Sequence, residues 1–94
     1  LDTPLVIGRG DEANFRISDD SASRLHAWVG WDYDAEAYAA RDMDSTNGTF
    51  VNGKKVAGQV TLRHGDRIEI GETLFEFHRR VQNAVDDVLE GEQR

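Results

Sequence analysis

Through the first eighty positions, apolar residues come in short runs that mostly alternate with polar ones, broken by turn residues every 8–12 positions or so. Pro4-Leu5-Val6-Ile7 reads as one strand and Phe15-Arg16-Ile17 as a very short one. From His26 to Trp31 the alternation puts Ala27, Val29 and Trp31 on one face. Ala37–Asp42 is its hairpin partner across the polar turn Asp32–Glu36. Thr49-Phe50-Val51 runs into Asn52-Gly53, the strongest short hairpin signal because both residues tolerate positive φ, and Lys54-Lys55-Val56 follows. Val60-Thr61-Leu62, Arg67–Ile70 and Thr73–Phe77 complete the series, with Arg63–Asp66 and Gly71-Glu72 as turns. No stretch before residue 80 has helical periodicity long enough for a βαβ unit, so the pattern predicts an all-β, antiparallel β-sandwich. Beyond residue 80 the period changes. Val81, Ala84, Val85, Val88 and Leu89 recur at helical spacing, and Gly91 stands where a helix ends. The expected organisation is one domain over 1–80 and a short C-terminal amphipathic helix, tail or linker over 81–94.

Composition narrows this reading. The chain has 94 residues, enough for one domain with a single thin core. An apolar content of 38%, with nine glycines beside it, is that of a folded domain and not of a disordered acidic tail. Eleven basic against 18 acidic side chains give a net charge of −7, which argues against broad nucleic-acid binding. Asp86, Asp87, Glu90 and Glu92 against Arg94 place −3 of that on the tail. No apolar run, Leu5-Val6-Ile7 included, comes near the ~18–20 residues that span a bilayer, so no membrane insertion is expected. The lack of cysteine excludes disulfides, thiolate zinc sites and cysteine nucleophiles, and leaves the redox compartment open. Residue 1 is Leu, so the chain reads as a piece of something longer.

Three loops concentrate the candidate chemistry. Gly8-Arg9-Gly10-Asp11 follows a strand, Ser21-Ala22-Ser23-Arg24-Leu25-His26 precedes one, and Asp44-Ser45-Thr46-Asn47-Gly48-Thr49 joins two. Together they offer two arginines, several hydroxyls, an amide and glycine-freed backbone N–H groups. Such a donor-rich, cation-bearing set suits a phosphate group, and arginine can grip phosphate with two parallel hydrogen bonds where lysine cannot. Each loop taken alone also fits ordinary turn chemistry.

Taken together, Ile7-Gly8-Arg9, Ser23-Arg24-Leu25-His26, the block from Asp42 to Gly53 and the block from Leu62 to Gly71 resemble the forkhead-associated (FHA) domain in order and spacing. The resemblance covers about residues 4–78. It implies an FHA/SMAD-like β-sandwich of about eleven short strands whose loops at one end bind phosphothreonine peptides. Carried over by position, Arg9 holds the phosphate and Ser23 gives its hydroxyl to the same group. Arg24 adds charge or touches the peptide backbone. Thr46 meets the phosphate through backbone or hydroxyl, and Asn47 bonds the peptide main chain. Gly8, His26 and Gly48 support the site: the imidazole braces the Ser23 loop and Gly8 lets Arg9 turn inward. Family members usually have a further strand ahead of the one ending at Ile7. Here only Leu1-Asp2-Thr3 precede Pro4, so either that strand is extremely short or the piece starts late, and its absence would expose a sheet edge.

The expectation is therefore a phosphothreonine-peptide recognition module, not an enzyme. Its partner would be phosphorylated by a Ser/Thr kinase, which favours an intracellular setting. No cofactor, metal or nucleic acid is expected, and the chain is expected to be a monomer. The alternative is a phosphate-independent interaction or assembly domain on the same fold. A hydrolytic triad of Ser23, His26 and Asp42 is the weakest reading, since no nucleophile elbow is present. Asp42-x-Asp44-x-Thr46-Asn47-Gly48 begins like a calcium loop but has Asn47 at the sixth position and Gly53 at the twelfth, where Gly and Glu are required.

Overall fold

Alternation sets the faces of the strands, and a computed structural model, which describes residues 3–79, shows how those faces meet. Nine strands form in these residues: β1 Leu5–Gly8, β2 Phe15–Arg16, β3 Ala27–Asp32, β4 Ala37–Asp42, β5 Thr49–Val51, β6 Lys54–Lys55, β7 Gln59–Thr61, β8 Arg67–Ile70 and β9 Thr73–Glu76. They make a five-stranded sheet of order β2-β1-β3-β4-β7 and a four-stranded sheet of order β6-β5-β8-β9. The resemblance implies about eleven strands; the described residues hold nine. The helix expected over 81–94 lies outside the described residues, as do Leu1 and Asp2 ahead of the first strand.

Register decides which side chains reach the core. Leu5 and Ile7 lie opposite Val29 and Ala27, and Ala27, Val29 and Trp31 lie opposite Asp42, Ala40 and Tyr38. On the second sheet Thr49 and Val51 lie opposite Ile70 and Ile68, which in turn face Thr73 and Phe75 on β9. Ile7, Ala27, Val29, Ala40, Val51, Ile68 and Ile70 are buried in one cluster, with Leu5, Tyr38, Val60, Phe75 and Phe77 packed against it. Burying one such aliphatic side chain contributes about 1.5–3 kcal/mol. Trp31 is half-buried beside that set, its ring edge-on to Tyr38 at 5.0 Å.

One pair departs from the antiparallel expectation: β1 and β2 run parallel, with Ile7 opposite Phe15 and Gly8 opposite Arg16. Parallel neighbours normally need a long crossover. Here β2 is two residues long and the return is short. Asn14 then acts as a stand-in for ladder partners: its Oδ1 accepts from Val6 N at 2.6 Å and its Nδ2 donates to the Pro4 carbonyl at 2.9 Å. The Asn52-Gly53 turn forms as its chemistry dictates, with φ of 53° and 83°. Its side chain is tied on both sides, Asn52 Nδ2 donating to Asp66 Oδ1 and Arg67 N donating to Asn52 Oδ1, each at 3.0 Å.

Ile7, Ala27 and Asp42 stand in line across three strands of the first sheet. The chain therefore leaves β1, enters β3 and leaves β4 at one end of the sandwich. Asp42 of the first sheet accepts from Thr49 Oγ1 of the second at 2.8 Å, so the start of β5 lies at that same end. All three donor-rich loops are gathered there.

Candidate functional site

The backbone of the first two loops is paired as a continuation of the β1–β3 ladder. His26 N donates to the Ile7 carbonyl at 2.8 Å, Arg9 N to the Ser23 carbonyl at 3.0 Å and Gly10 N to the Arg24 carbonyl at 3.0 Å. The approach is close enough to dictate glycine. A Cβ on Gly8 would fall 2.1 Å from the Arg24 carbonyl oxygen, and one on Gly10 would fall 2.9 Å from Arg24 Cβ. Gly8 is thus required by space beside Arg24. Gly10 has a like role that composition alone did not single out.

Arg9 is exposed but anchored. Its Nε donates to the Ala22 carbonyl at 2.9 Å, and its own carbonyl accepts from Arg16 Nε at 3.1 Å. No carboxylate among the described residues pairs with its guanidinium, so both terminal nitrogens remain available to a ligand. Arg24 differs: its Nη2 lies 3.4 Å from Glu12 Oε1 in an exposed ion pair. A pair of that kind is worth little and exchanges readily.

His26 ties the second loop to the third. It is fully buried, and its Nδ1 accepts the Ser23 backbone N–H at 2.9 Å. Nδ1 is therefore unprotonated, so Nε2 carries the hydrogen and donates to the Gly48 carbonyl at 2.8 Å. Ser23 Oγ accepts from Thr46 N at 2.9 Å, which leaves its own hydroxyl hydrogen to donate outward. Asn47 Nδ2 donates to the Ser21 carbonyl at 2.9 Å, bridging the same two loops from outside. Gly48 adopts a φ of 89°, which any side chain would strain.

This geometry is not that of a hydrolytic triad. Both imidazole nitrogens are bonded to backbone groups, and the Ser23 hydroxyl meets Thr46 instead. Asp42, the imagined third member, organises its own loop. Its Oδ1 accepts from Ser45 Oγ at 2.5 Å and from Thr49 Oγ1 at 2.8 Å, and its Oδ2 accepts from Ser45 N at 3.1 Å. Partial burial pushes its pKa up, but the hydrogen bonds from Ser45 and Thr49 outweigh this and hold the carboxyl below its ordinary 3.8. Ser45 Oγ also accepts from Gly48 N at 2.9 Å, so Ser45 shapes the turn that presents Thr46 and Asn47.

Asp19 was not legible as a site residue. Its Oδ1 accepts from Ser21 N at 2.8 Å, and its Oδ2 accepts from Glu72 N at 2.8 Å and Thr73 Oγ1 at 2.6 Å. The Thr73 hydroxyl leads in lowering its pKa, ahead of the opposing effect of desolvation. Asp19 thereby fastens the second loop to the β8–β9 turn, where Gly71 at a φ of 62° leaves room for its carboxylate. The signal was an Asx turn, Asp19 to Ser21, too common to single out.

Arg9, Ser23, Arg24, Thr46 and Asn47, the five candidate binding residues, line one surface depression of about 340 Å³ together with Asp20, Ser21 and Ala22. Gly8, His26 and Gly48 are buried among the loops behind it. A larger depression of about 490 Å³ between β6 and β7, walled by Lys54, Lys55 and Gln59 among others, contains none of the candidates. The smaller one is the candidate site, because it gathers an anchored guanidinium, a hydroxyl with a free hydrogen and an amide. Among the described residues no group of three or more His, Asp or Glu is placed to hold a metal ion, and no helix is long and apolar enough to cross a membrane.

Comparison with known proteins agrees with this architecture. The family model of the FHA domain matches residues 5–71. "Angiogenic factor with G patch and FHA domains 1" of Mus musculus is 40% identical over 84 residues, covering 81% of this chain and 12% of that protein. The chain thus spans about an eighth of that relative's length. A solved structure from work on phosphothreonine-dependent FHA domain interactions superposes with a TM-score of 0.76 at 34% identity, covering 84% of this chain and 79% of the other. EmbR of Mycobacterium tuberculosis in complex with a low-affinity phosphopeptide superposes with a TM-score of 0.72 at 29% identity, over 80% of this chain and 19% of that one.

Proposed function

This chain belongs to the FHA family, and from that premise we propose that it is a phosphothreonine-peptide recognition module, docking a partner that a Ser/Thr kinase has phosphorylated. The observation that carries the reading is the anchored Arg9 guanidinium beside a Ser23 hydroxyl whose oxygen is already held by Thr46 N. Arg9 binds the phosphate with its terminal nitrogens and Ser23 donates to the same group. Arg24 turns from Glu12 to the ligand. Thr46 borders the phosphate, and Asn47 reaches the peptide main chain with its Oδ1, which accepts no hydrogen bond among the described residues. Gly8, His26 and Gly48 hold the loops in place. The module binds and does not catalyse, acts as a monomer without metal or cofactor, and works inside the cell where such kinases act. Residues 1–80 form the module and 81–94 an acidic amphipathic helix or linker.

A phosphothreonine brings about −1.5 to −2 charge and three acceptor oxygens. Hydrogen bonds to charged groups contribute about 1.5–3 kcal/mol each. Losing two or three on dephosphorylation lowers affinity by at least about two orders of magnitude, since ~1.4 kcal/mol is tenfold. Titration with a phosphothreonine peptide and its unphosphorylated twin tests this. Equal affinity for the two would leave the phosphate-independent interaction domain as the better account.

A further inference from the structure

The depression that holds the candidate phosphate-binding groups also holds a carboxylate, Asp20, which the proposed function does not use. Its neighbour Asp19 is fully engaged, accepting from Ser21 N, Glu72 N and Thr73 Oγ1. Asp20 is exposed, and its side chain has no hydrogen-bond or ion-pair partner among the described residues. An unpaired anion beside a site for a dianion opposes binding of phosphate by itself. It favours only a ligand that brings a compensating positive charge within a few ångströms.

The turn carrying Asp20 is pinned on every side. Asp19 ties it to the β8–β9 turn, Ala22 N donates back to the Asp19 carbonyl at 2.9 Å, the Ser21 carbonyl accepts from Asn47, and the Ala22 carbonyl accepts from Arg9. Two of those partners, Arg9 and Asn47, are themselves candidate ligand-binding groups. Asp20 is therefore presented at a fixed place relative to a bound phosphate, and not on a loop that can swing aside. Exposed ion pairs contribute little when two long side chains must be ordered. Here one member is short and the backbone of its turn is already held, which reduces that entropic cost.

We infer that Asp20 is a specificity-determining residue that selects phosphothreonine peptides carrying Lys or Arg close to the phosphothreonine. The inference rests on the phosphothreonine reading above. It gives the ligand class a charge pattern: a dianion for Arg9 and Ser23, and a cation for Asp20.

The test uses one phosphothreonine peptide in which Lys, Ala or Glu is placed in turn at each of the three positions on either side, with Kd measured by fluorescence anisotropy. At the position facing Asp20, the Lys peptide is expected to bind about three- to tenfold more tightly than the Glu peptide. Asp20→Asn should abolish that preference while strengthening the Ala peptide slightly, and Asp20→Lys should reverse it. Asp34→Asn, at the hairpin tip between β3 and β4, should leave the preference intact. Thermal melts of each variant separate these effects from misfolding. Phosphate-dependent binding with no charge preference at any position, or a preference that survives in Asp20→Asn, overturns the inference and leaves the phosphothreonine reading standing. Equal binding of phosphorylated and unphosphorylated parent peptides overturns both.

Discussion

Arg9 and Gly8 are adjacent in sequence, but their substitutions should fail for different reasons. Arg9 makes one side-chain hydrogen bond, to the Ala22 carbonyl, and is otherwise exposed. Arg9→Ala is therefore expected to abolish phosphopeptide binding while moving the melting temperature by only a few degrees. Arg9→Lys should not rescue binding, because one ammonium cannot both hold the Ala22 carbonyl and grip two phosphate oxygens. A calorimetric titration beside a thermal melt checks both, and an unfolded Arg9→Ala protein would show that Arg9 is structural. Gly8→Ala is the converse case. Its Cβ would sit 2.1 Å from the Arg24 carbonyl oxygen, so the two loops must part. A loss of about 1–3 kcal/mol is expected from denaturant unfolding. Arg9 was legible as a candidate because its block and three others resemble the FHA pattern in order and spacing. The reason for Gly8 was not, since Arg24 approaches it only after β1 and β3 pair. Asp19 and Asp20 look alike in sequence, and only the fold shows one bound and the other bare.

Strand by strand, period-2 alternation found nearly every element, and the Asn52-Gly53 turn came out as its residue types require. Alternation did not reveal the parallel β1–β2 pair or Asn14 standing in for a ladder partner, because both depend on where the 9–14 loop folds back. Nor could it reveal the ties between loops, since Ser23 and Thr46 are brought together only by the pairing of β3 with β4. Those ties make the loops a unit with its own response to substitution and pH. His26→Ala removes the acceptor for Ser23 N and the donor to the Gly48 carbonyl in a fully buried position. Each buried group left without a partner costs about 1–3 kcal/mol. The expected outcome is joint loss of stability and phosphopeptide affinity, in contrast to Arg9→Ala. Asp42 governs the acid response of the third loop. Its folded pKa lies below 3.8 because hydrogen bonds from Ser45 and Thr49 outweigh desolvation. A lowered pKa means that its contribution is fully present above 3.8 and is lost as pH falls through the folded value. Asp19 and Asp32, lowered by hydrogen bonds led by Thr73 and Gln59 respectively, share that direction. Asp42→Asn should therefore be less stable near neutrality and lose less stability below about pH 4. Melting curves across that range check it, and parallel curves for both proteins would count against it.

Taken as a whole, the molecule poses an electrostatic puzzle that its loops resolve only at short range. A chain of net charge −7 is proposed to bind a dianion. Distance separates the two facts. At about 0.01 M salt the Debye length is ~30 Å, so every acidic group on the chain is felt by an approaching phosphopeptide. At about 0.15 M it is ~8 Å, and the peptide responds mainly to what lies near the depression. There Arg9 has no acidic partner among the described residues, Arg24 has only the exposed Glu12, and Asp20 is the one carboxylate lining the depression. Long-range repulsion is thus screened before the contact hydrogen bonds are. The association rate constant of an anionic phosphothreonine peptide is expected to rise between these two salt concentrations, opposite to the fall seen when opposite charges steer an encounter. The dissociation rate should change less, because charges in direct contact with Arg9 and Ser23 are screened less than charges farther off. Stopped-flow measurement across the range separates the two. An association rate that falls steadily with salt would mean that the loop arginines, and not the net charge, govern the approach.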